Sequence, residues 1–447
     1  MSGKVCIVGG GLAGCEAAWQ LSVRGVPVDL YEMRPGETTP AHTTGDLAEL
    51  VCSNSLRSTD PATAAGLLKA ELGRVRSFVL GIAFRHQVPA GTALAVDRHA
   101  FSREVTRAVE GNPGISLLRE EVRDPADLPA PVIIAAGPLA SDPLAAAVES
   151  MTGSGGLYFY DAIAPVIDAE GIDMSVVFPQ SRFDKGGEDD YLNCPLTEEE
   201  YLAFVRMLLE AESVPLHRFE EVRHFQGCMP IEAMAETGVL ALAHGPMKPV
   251  GLLDPRTGER PFAVVQLRRE NVAGTAWNMV GFQTRLTHAE QRRVFRTIPG
   301  LSGASFHRLG SMHRNTYLDS PRLLDESLRL RSRPSVRFAG QITGVEGYIE
   351  SIASGWLAAY FTWCELTGRD PEPPPAETAL GGLLGHVTTD TGRDFQPSNV
   401  SFGLLPPAGT RGDRKTRRRI VSRRALDVLK GWRAGRAAYY FENLPET

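Results

Sequence analysis

Two of the six cysteines stand in settings where a thiol could do chemistry. Cys228 lies just before Pro230 and the helix-like run Ile231–Glu236. The positive potential of a helix N-terminus lowers a thiol pKa and raises the thiolate fraction, so Cys228 is a candidate nucleophile. A helix-capping cysteine of ordinary pKa is the alternative. Cys52, in the predicted loop Leu50–Ser55, is either a reactive thiol beside a ligand or a half-buried structural residue.

A glycine-rich turn near the N-terminus predicts a dinucleotide site. The apolar run Val5–Val8 ends in glycines, and a helix-like pattern follows. Gly9, Gly11 and Gly14 fill the three glycine positions of the G-x-G-x-x-G pattern. The helix would point its N-terminal N–H groups at a pyrophosphate. The next apolar run, Val26–Tyr31, ends at Glu32, at the distance of an acid that binds ribose hydroxyls. The alternative is a glycine-rich turn in some other α/β protein.

A second strand–glycine–helix unit lies far along the chain. The run Val336–Ile342 predicts a strand that contains Gly340, and a helix is expected over Ile349–Leu366. This helix too would direct its N-terminus at a ligand. Tyr348, in the turn before it, either stacks on a planar ring or anchors the core.

Composition narrows the class of protein. The chain has 447 residues, 43% of them hydrophobic and 22% charged, and a net charge of −6. This favours a globular protein of two domains, or of one domain with an insertion. No apolar run is long enough for a membrane span, and a strand at Val5 leaves no room for a cleavable signal. Scattered cysteines without zinc spacing favour a reducing, cytoplasmic location and no metal site.

The order of predicted elements indicates an α/β fold with an insertion. A strand–glycine–helix–strand unit opens the chain, and a buried strand over 131–136 returns to the same sheet. One amphipathic helical stretch is predicted over 60–83. From about residue 158 to 298 the parallel rhythm stops, and strands alternate with polar helices, as in a mixed or antiparallel sheet. We therefore expect a discontinuous first domain, 1–157 and 299–447, and an inserted α/β domain, 158–298.

One stretch is basic although the chain as a whole is acidic. Residues 411–424 contain eight Lys or Arg residues and one acid, Asp413. Such a run is either a contact surface for nucleic-acid phosphates or a solvated helix face.

Several long segments together resemble the bacterial folate- and FAD-dependent tRNA (uracil-5-)-methyltransferases. The segments are VGGGLAGCEAAWQL, LYEMRP, TPAHTT, ELVCSNSLRS, YLNCPLTEEEY, HFQGCMPIEAMAE, HGPMKPVGL, DPRTG, WNMVGFQTRL, GSMHRNTY and FAGQITGVEGYIESIASG. They span residues 5 to about 355, with a weaker match through FQPSNVSFGLLPP. That last segment departs from the family pattern at Ser398 and Ser401. The related flavoproteins that modify the tRNA wobble uridine carry a further long helical C-terminal domain, for which we expect this chain to be too short.

The resemblance implies a fold, a reaction and its partners. The fold is a Rossmann-type FAD-binding domain of the two-dinucleotide flavoprotein class, with an inserted α/β domain. The one-carbon unit of 5,10-methylenetetrahydrofolate passes, by way of FAD reduced by NADPH or NADH, to C5 of a T-loop uridine in tRNA, which gives 5-methyluridine. The alternatives are a wobble-uridine-modifying flavoprotein and an FAD-dependent oxidoreductase with a small-molecule substrate.

The resemblance also assigns residues. Cys228 is the expected nucleophile at uracil C6, Cys52 the proton-transfer partner or protector of the cofactor, and Tyr348 an aromatic residue close to the flavin. The expected FAD-binding residues are Gly9, Gly10, Gly11, Leu12, Ala13, Gly14, Glu32, Arg34, Gly340 and Gly347.

Overall fold

The structure is a computed structural model. It describes residues 3–39, 41–153, 157–184, 187, 190–214, 229–392, 395–409, 413–435 and 437–442. No helix in these ranges is both long and apolar enough to cross a bilayer.

Seventeen strands are present in the described ranges. In chain order they are β1 (Val5–Val8), β2 (Val28–Tyr31), β3 (Ser55–Ser58), β4 (Gln87–Val88), β5 (Ala93–Val96), β6 (Ile115–Leu118), β7 (Val132–Ile134), β8 (Leu157–Ala162), β9 (Val166–Asp168), β10 (Phe178–Pro179), β11 (Tyr191–Leu196), β12 (Ala263–Arg269), β13 (Ala276–Met279), β14 (Phe306–Arg308), β15 (Met312–Tyr317), β16 (Arg329–Leu330) and β17 (Arg333–Phe338).

Fourteen α-helices accompany them in the same ranges. They are α1 (Leu12–Ser22), α2 (Ala64–Arg74), α3 (Phe78–Arg85), α4 (Arg98–Glu110), α5 (Asp142–Thr152), α6 (Glu198–Glu210), α7 (Ile231–Glu236), α8 (Ala241–His244), α9 (His288–Phe295), α10 (Ser320–Leu323), α11 (Tyr348–Leu366), α12 (Ala379–Thr388), α13 (Arg414–Ala434) and α14 (Ala438–Phe441).

The first sheet has the order β16-β17-β7-β1-β2-β6. Its strands are parallel, except that β16 pairs with β17 in antiparallel fashion. The apolar runs at the start of the chain, around residue 133 and around residue 336 therefore become neighbouring strands, and their carboxyl ends meet at one edge. This is the doubly wound arrangement that places ligands beyond that edge. The predicted α/β, Rossmann-type fold is confirmed.

The second six-stranded sheet has the order β10-β11-β12-β13-β9-β14, and every pairing in it is antiparallel. Helix α6 begins with a capping box, in which Thr197 and Glu200 bond to each other's backbone N–H. Smaller sheets pair β15 with β8, and β5 with β3 and β4.

The apolar interior falls into two large clusters. One collects buried residues of 5–148 and 317–440, and the other collects those of 167–304. The predicted boundaries at 157/158 and 298/299 stay a prediction, and β14, just beyond the second boundary, pairs within the antiparallel sheet.

The predicted helical stretch over 60–83 is two helices, α2 and α3, which corrects the sequence interpretation. Arg76, between them, has a φ of 57°, in the left-handed region that ends a helix. Ser77 then caps α3, and the buried carboxylate of Glu16 accepts hydrogen bonds from Phe78 N and Val79 N. Because a side chain remote in sequence supplies acceptors for the new N-terminus, the break is stabilised by tertiary structure.

Helix α11 lies at the centre of the first cluster, against α1. Fifteen of its nineteen residues are buried. The contact is so close that a Cβ atom on Gly355 would lie 2.2 Å from the carbonyl oxygen of Ala13. Only glycine allows the two helix backbones this approach.

We predict that Gly355→Ala lowers the free energy of unfolding by roughly 1–3 kcal/mol, because the added methyl group forces two backbones apart. Gly73→Ala in α2 is the matched control, since no atom lies within 4 Å of the added Cβ there. It should leave stability unchanged or raise it by up to about 1 kcal/mol. Urea unfolding of both variants measures the difference, and equal effects would contradict the packing argument.

Candidate functional site

A deep cleft opens at the carboxyl edge of the first sheet. Its volume is about 980 Å³, including the part open to solvent. The residues that follow β1, β2, β7 and β17 all contribute to its walls. The lining includes Gly9, Gly11, Leu12, Ala13, Glu32, Arg34, Glu49, Val51, Ser141, Gly340 and Tyr348.

The turn from β1 into α1 is built from glycines with different tasks. Gly9 has a φ of 105°, and a Cβ atom there would lie 2.6 Å from the carbonyl oxygen of Ala135. A Cβ atom on Gly14 would lie 1.9 Å from the carbonyl oxygen of Gly9. At Gly11, by contrast, no atom lies within 4 Å of an added Cβ, so this glycine faces open space in the cleft. The turn therefore packs tightly on its inner side and leaves its outer side accessible.

Three helices begin at this cleft: α1, α5 and α11. None of the three has a side-chain hydrogen bond at its N-cap, which is Gly11, Ser141 and Gly347 respectively. The other described helices of eight or more residues, α2, α3, α4, α6, α9, α12 and α13, all have one. The N–H groups at the three uncapped ends remain available for a ligand, and the helix dipoles favour a negatively charged one.

Glu32 holds the glycine turn in place through hydrogen bonds. Its carboxylate accepts hydrogen bonds from Gly10 N at 2.9 Å, and from Arg34 N, Nε and Nη2 at 3.0, 2.8 and 3.2 Å. Burial opposes ionisation, but the hydrogen bonds and charge of Arg34 outweigh it and hold the pKa of Glu32 below its ordinary value. Arg34 also binds Glu49 at 3.1 Å. Four N–H donors fill the acceptor positions of Glu32, so its predicted contact with ribose stays a prediction.

These residues fit a dinucleotide such as FAD. A pyrophosphate needs N–H donors and open space beside a glycine, and the first turn of α1 offers both. The opposite wall, at Gly340 and Tyr348, supplies a second glycine-lined surface and an aromatic ring.

Tyr348 connects this cleft to the Cys52 loop. Its hydroxyl oxygen accepts hydrogen bonds from Cys52 N at 2.8 Å and Ser53 N at 3.1 Å. Burial raises the pKa of Tyr348 above its ordinary value, and the nearby Cys52 raises it further, so the phenol stays neutral. Val51 lines the cleft, and Cys52 is the next residue in the chain. The structure thus brings together two of the three predicted catalytic residues.

Two buried guanidinium groups hold the same loop from the other side. Arg98 donates to the carbonyl oxygen of Leu50 at 2.6 Å, and Arg308 donates to those of Val51 and Cys52 at 2.9 and 3.4 Å. Both groups are close enough for their charges to interact with a thiolate at Cys52. The Cys52 loop thus has two buried guanidinium groups beside it, one of which, Arg98, is also paired with Glu270.

The loop is also the junction between the two large apolar clusters. Arg98, at the start of α4, packs beside the first cluster. It forms a bidentate ion pair with Glu270, which follows β12 in the antiparallel sheet of the second cluster. Asn54 is fully buried, donates to the carbonyl oxygen of Arg269 at 2.9 Å, and accepts from Arg268 Nε at 3.0 Å. The position of Cys52 thus depends on both parts of the molecule.

A second, smaller cavity of about 670 Å³ lies on the arginine side of the loop. Arg98, Arg308 and Glu270 line it, together with His307 and Asn271. Burial lowers the pKa of Arg308 to about 10, and the positive charge of Arg98 contributes to the same direction. Arg308 Nε is buried and has no hydrogen-bond partner among the described residues.

The remaining predicted site residues divide into three groups. Gly10, Gly14 and Gly347 shape the backbone and do not line the cleft. Gly340 does line it, with its N–H bonded to Ser354 Oγ at 3.0 Å. Cys228 lies outside the described residues. The helix predicted after it is present as α7, directly following Pro230.

Sequence reasoning missed Asn54, Arg98, Glu270 and Arg308. They are far apart in the chain, and no spacing pattern connects them. The only local signal is that Asn54 lies in the predicted loop Leu50–Ser55, two residues after Cys52.

Comparisons with known proteins give one consistent result. Residues 4–370 match the family described as Glucose inhibited division protein A. The chain is 55% identical to the methylenetetrahydrofolate–tRNA-(uracil-5-)-methyltransferase TrmFO of Rhizorhabdus wittichii, over 97% of this chain and 98% of that one. It is 56% identical to the TrmFO of Geobacter sulfurreducens, over 97% and 100%.

A solved structure supports the fold. GidA of Aquifex aeolicus superposes with a TM-score of 0.69 at 15% identity, covering 96% of this chain and 73% of that one. The chain therefore belongs to the Glucose inhibited division protein A family and, within it, to the relatives named methylenetetrahydrofolate–tRNA-(uracil-5-)-methyltransferase TrmFO.

Proposed function

We propose that this protein is an FAD-dependent tRNA (uracil-5-)-methyltransferase that takes its one-carbon unit from 5,10-methylenetetrahydrofolate and forms 5-methyluridine in the T-loop. The observation that carries the proposal is the Cys52 loop, which hydrogen-bonds to Tyr348 at the wall of a dinucleotide cleft. The identity of about 55% to TrmFO relatives over nearly the whole chain supports the same reaction.

FAD would lie along the glycine turn, with its phosphates at the first turn of α1 and its ring system toward Gly340 and Tyr348. When bound, it supplies reducing equivalents and carries the one-carbon unit. We infer that NADPH or NADH reduces it. Glu32 and Arg34 hold the turn in the shape that this requires, and Gly347 starts α11 at the far wall.

The two cysteines have different proposed roles in the reaction at uracil. C5 of uracil is a poor nucleophile until a thiolate adds to C6, and we assign this addition to Cys228 on the strength of its sequence motif. After C5 has taken up the carbon unit, its proton must leave and the C6–S bond must break. We assign the removal of this proton to Cys52, because its loop is hydrogen-bonded to Tyr348 at the wall of the cleft and a thiolate there could accept a proton.

The target uridine has to leave its stacked position in the tRNA to reach these thiols. Base flipping of this kind costs a few kcal/mol, which contacts to the rest of the tRNA must offset. Asn54 and the Arg98–Glu270 pair keep the receiving loop in one position.

The decisive experiment follows labelled carbon. Purified protein loaded with FAD is incubated with methylene-labelled methylenetetrahydrofolate, NADPH and an unmodified tRNA transcript, and nucleosides are then separated. We expect label in 5-methyluridine, and none with a transcript whose T-loop target uridine is cytidine. Label only at the wobble position, or NADPH oxidation without any labelled nucleoside, would contradict the proposal.

A separate experiment distinguishes the cysteines. A T-loop RNA containing 5-fluorouracil cannot release its C5 substituent as a proton, so the thiol adduct should accumulate. We predict that Cys228→Ala abolishes this covalent complex and that Cys52→Ala retains it while losing turnover. Denaturing gel electrophoresis measures the complex, and its survival in Cys228→Ala would exclude that residue as the nucleophile.

We predict that Tyr348→Phe loosens the Cys52 loop. Two backbone N–H groups lose their acceptor, at a cost of about 1–3 kcal/mol, while the aromatic ring remains. Alkylation of Cys52, followed by mass spectrometry, should become faster, turnover should fall about tenfold or more, and FAD should be retained. Tyr201→Phe is the matched control, because its hydroxyl also accepts a backbone N–H, from Ala243 at 3.1 Å, but in the other apolar cluster. Equal alkylation rates in both variants would contradict the role of Tyr348.

A further inference from the structure

Helix α13 concentrates positive charge in an acidic protein. It carries nine Lys or Arg residues and one acid, Asp427, whereas the whole chain has 47 basic and 53 acidic residues. Lys415, Arg419 and Arg423 follow each other at four-residue spacing, so like charges are neighbours on one face. Such pairs destabilise a helix by roughly 0.2–0.5 kcal/mol each.

Packing fixes which side of the helix is exposed. Ser422, Ala425, Leu429 and Trp432 are buried, and Ser422 Oγ donates to the carbonyl oxygen of Pro61 at 2.6 Å. The cationic face, defined as Arg414, Lys415, Arg417, Arg419 and Arg423, is solvent-exposed. In the part of the chain that the structure describes, no carboxylate forms a salt bridge with any of its four arginines.

The cationic face borders a surface depression. Arg419 and Arg423 of α13 and Arg74 of α2 line it, and so do two carboxylates, Asp60 and Asp427. The depression measures about 680 Å³, including its open part. Three guanidinium groups around one concave surface suit a phosphate group.

The depression lies within reach of the candidate active site. The helix is held on Pro61, nine residues after Cys52, which sets an upper limit of about 30 Å for their separation. Residues 400–402 provide a second connection between α13 and the candidate active site. The Arg418 guanidinium lies 5.6 Å from the centre of the Phe402 ring, and Val400 N donates to Glu350, two residues after Tyr348.

We propose that the cationic face of α13 binds the sugar–phosphate backbone of the tRNA whose loop uridine enters the cleft. The inference rests on the proposed function for the identity of the nucleic acid. Lys and Arg contacts to phosphates supply affinity without sequence reading and position the substrate. A membrane surface is disfavoured, because binding there needs a broad exposed apolar face, whereas Ile420 is the one large apolar side chain that the described part of α13 exposes and Leu429 and Trp432 are buried.

The test compares two matched double variants. Arg419→Gln with Arg423→Gln removes two charges from α13, and Arg103→Gln with Arg107→Gln removes two exposed charges at the same spacing from α4. Binding of an unmodified tRNA transcript is measured from 50 to 300 mM salt. The α13 variant should bind roughly tenfold more weakly at 100 mM and lose about two units of the log–log salt slope, while the α4 variant should match wild type.

This experiment tests tRNA binding by α13 independently of the proposed methyltransferase activity, because binding is measured without methyl transfer. Unfolding midpoints equal to wild type establish that both variants are folded. Unchanged tRNA affinity and salt slope in the α13 variant would overturn the proposal, whether or not the wild type methylates tRNA. Loss of binding to phosphatidylserine vesicles with intact tRNA binding would overturn it as well, in favour of a membrane contact.

Discussion

The close approach of α1 to its neighbours is the constraint on which the rest of the structure depends. Gly14 lets the helix sit against the turn after β1, and Gly355 lets α11 reach the same helix from the other side. A methyl group at either position would collide with a backbone oxygen that cannot move aside. Since α1 and α11 both begin at the cleft, their packing also sets the distance between its two walls.

Hydrogen bonds, and not close helix packing, set the position of the Cys52 loop. Its carbonyl groups are held by arginines, its N–H groups by the hydroxyl of Tyr348, and its end by the buried Asn54. Buried networks of this kind are costly if any member lacks a partner. The loop can therefore hold a thiol in one place without being part of a helix or strand, although it lies where two apolar clusters meet.

The sequence was sufficient to predict those parts of the fold that depend on a local residue pattern. The glycine turn, the second strand–glycine–helix unit and the change of strand pattern after about residue 158 all have short-range signals. The contact between Cys52 and Tyr348 spans 296 residues, and the residues that clamp the loop come from positions 54, 98, 270 and 308. No periodicity encodes such contacts, because they arise only when distant strands and loops meet. The break between α2 and α3 was missed for the same reason, since Glu16 supplies part of the second helix's cap.

The three uncapped helix ends make the stability of the folded protein depend on the occupant of the cleft. Each helix N-terminus carries about half a positive charge, so α1, α5 and α11 together direct more than one unit of positive charge at a single cleft. Without an anion these ends repel one another and leave N–H groups to water, and with one they are neutralised together. A ligand that binds only the folded state stabilises it in proportion to the logarithm of its concentration. The free energy of unfolding should therefore rise with the concentration of an anionic ligand that occupies the cleft.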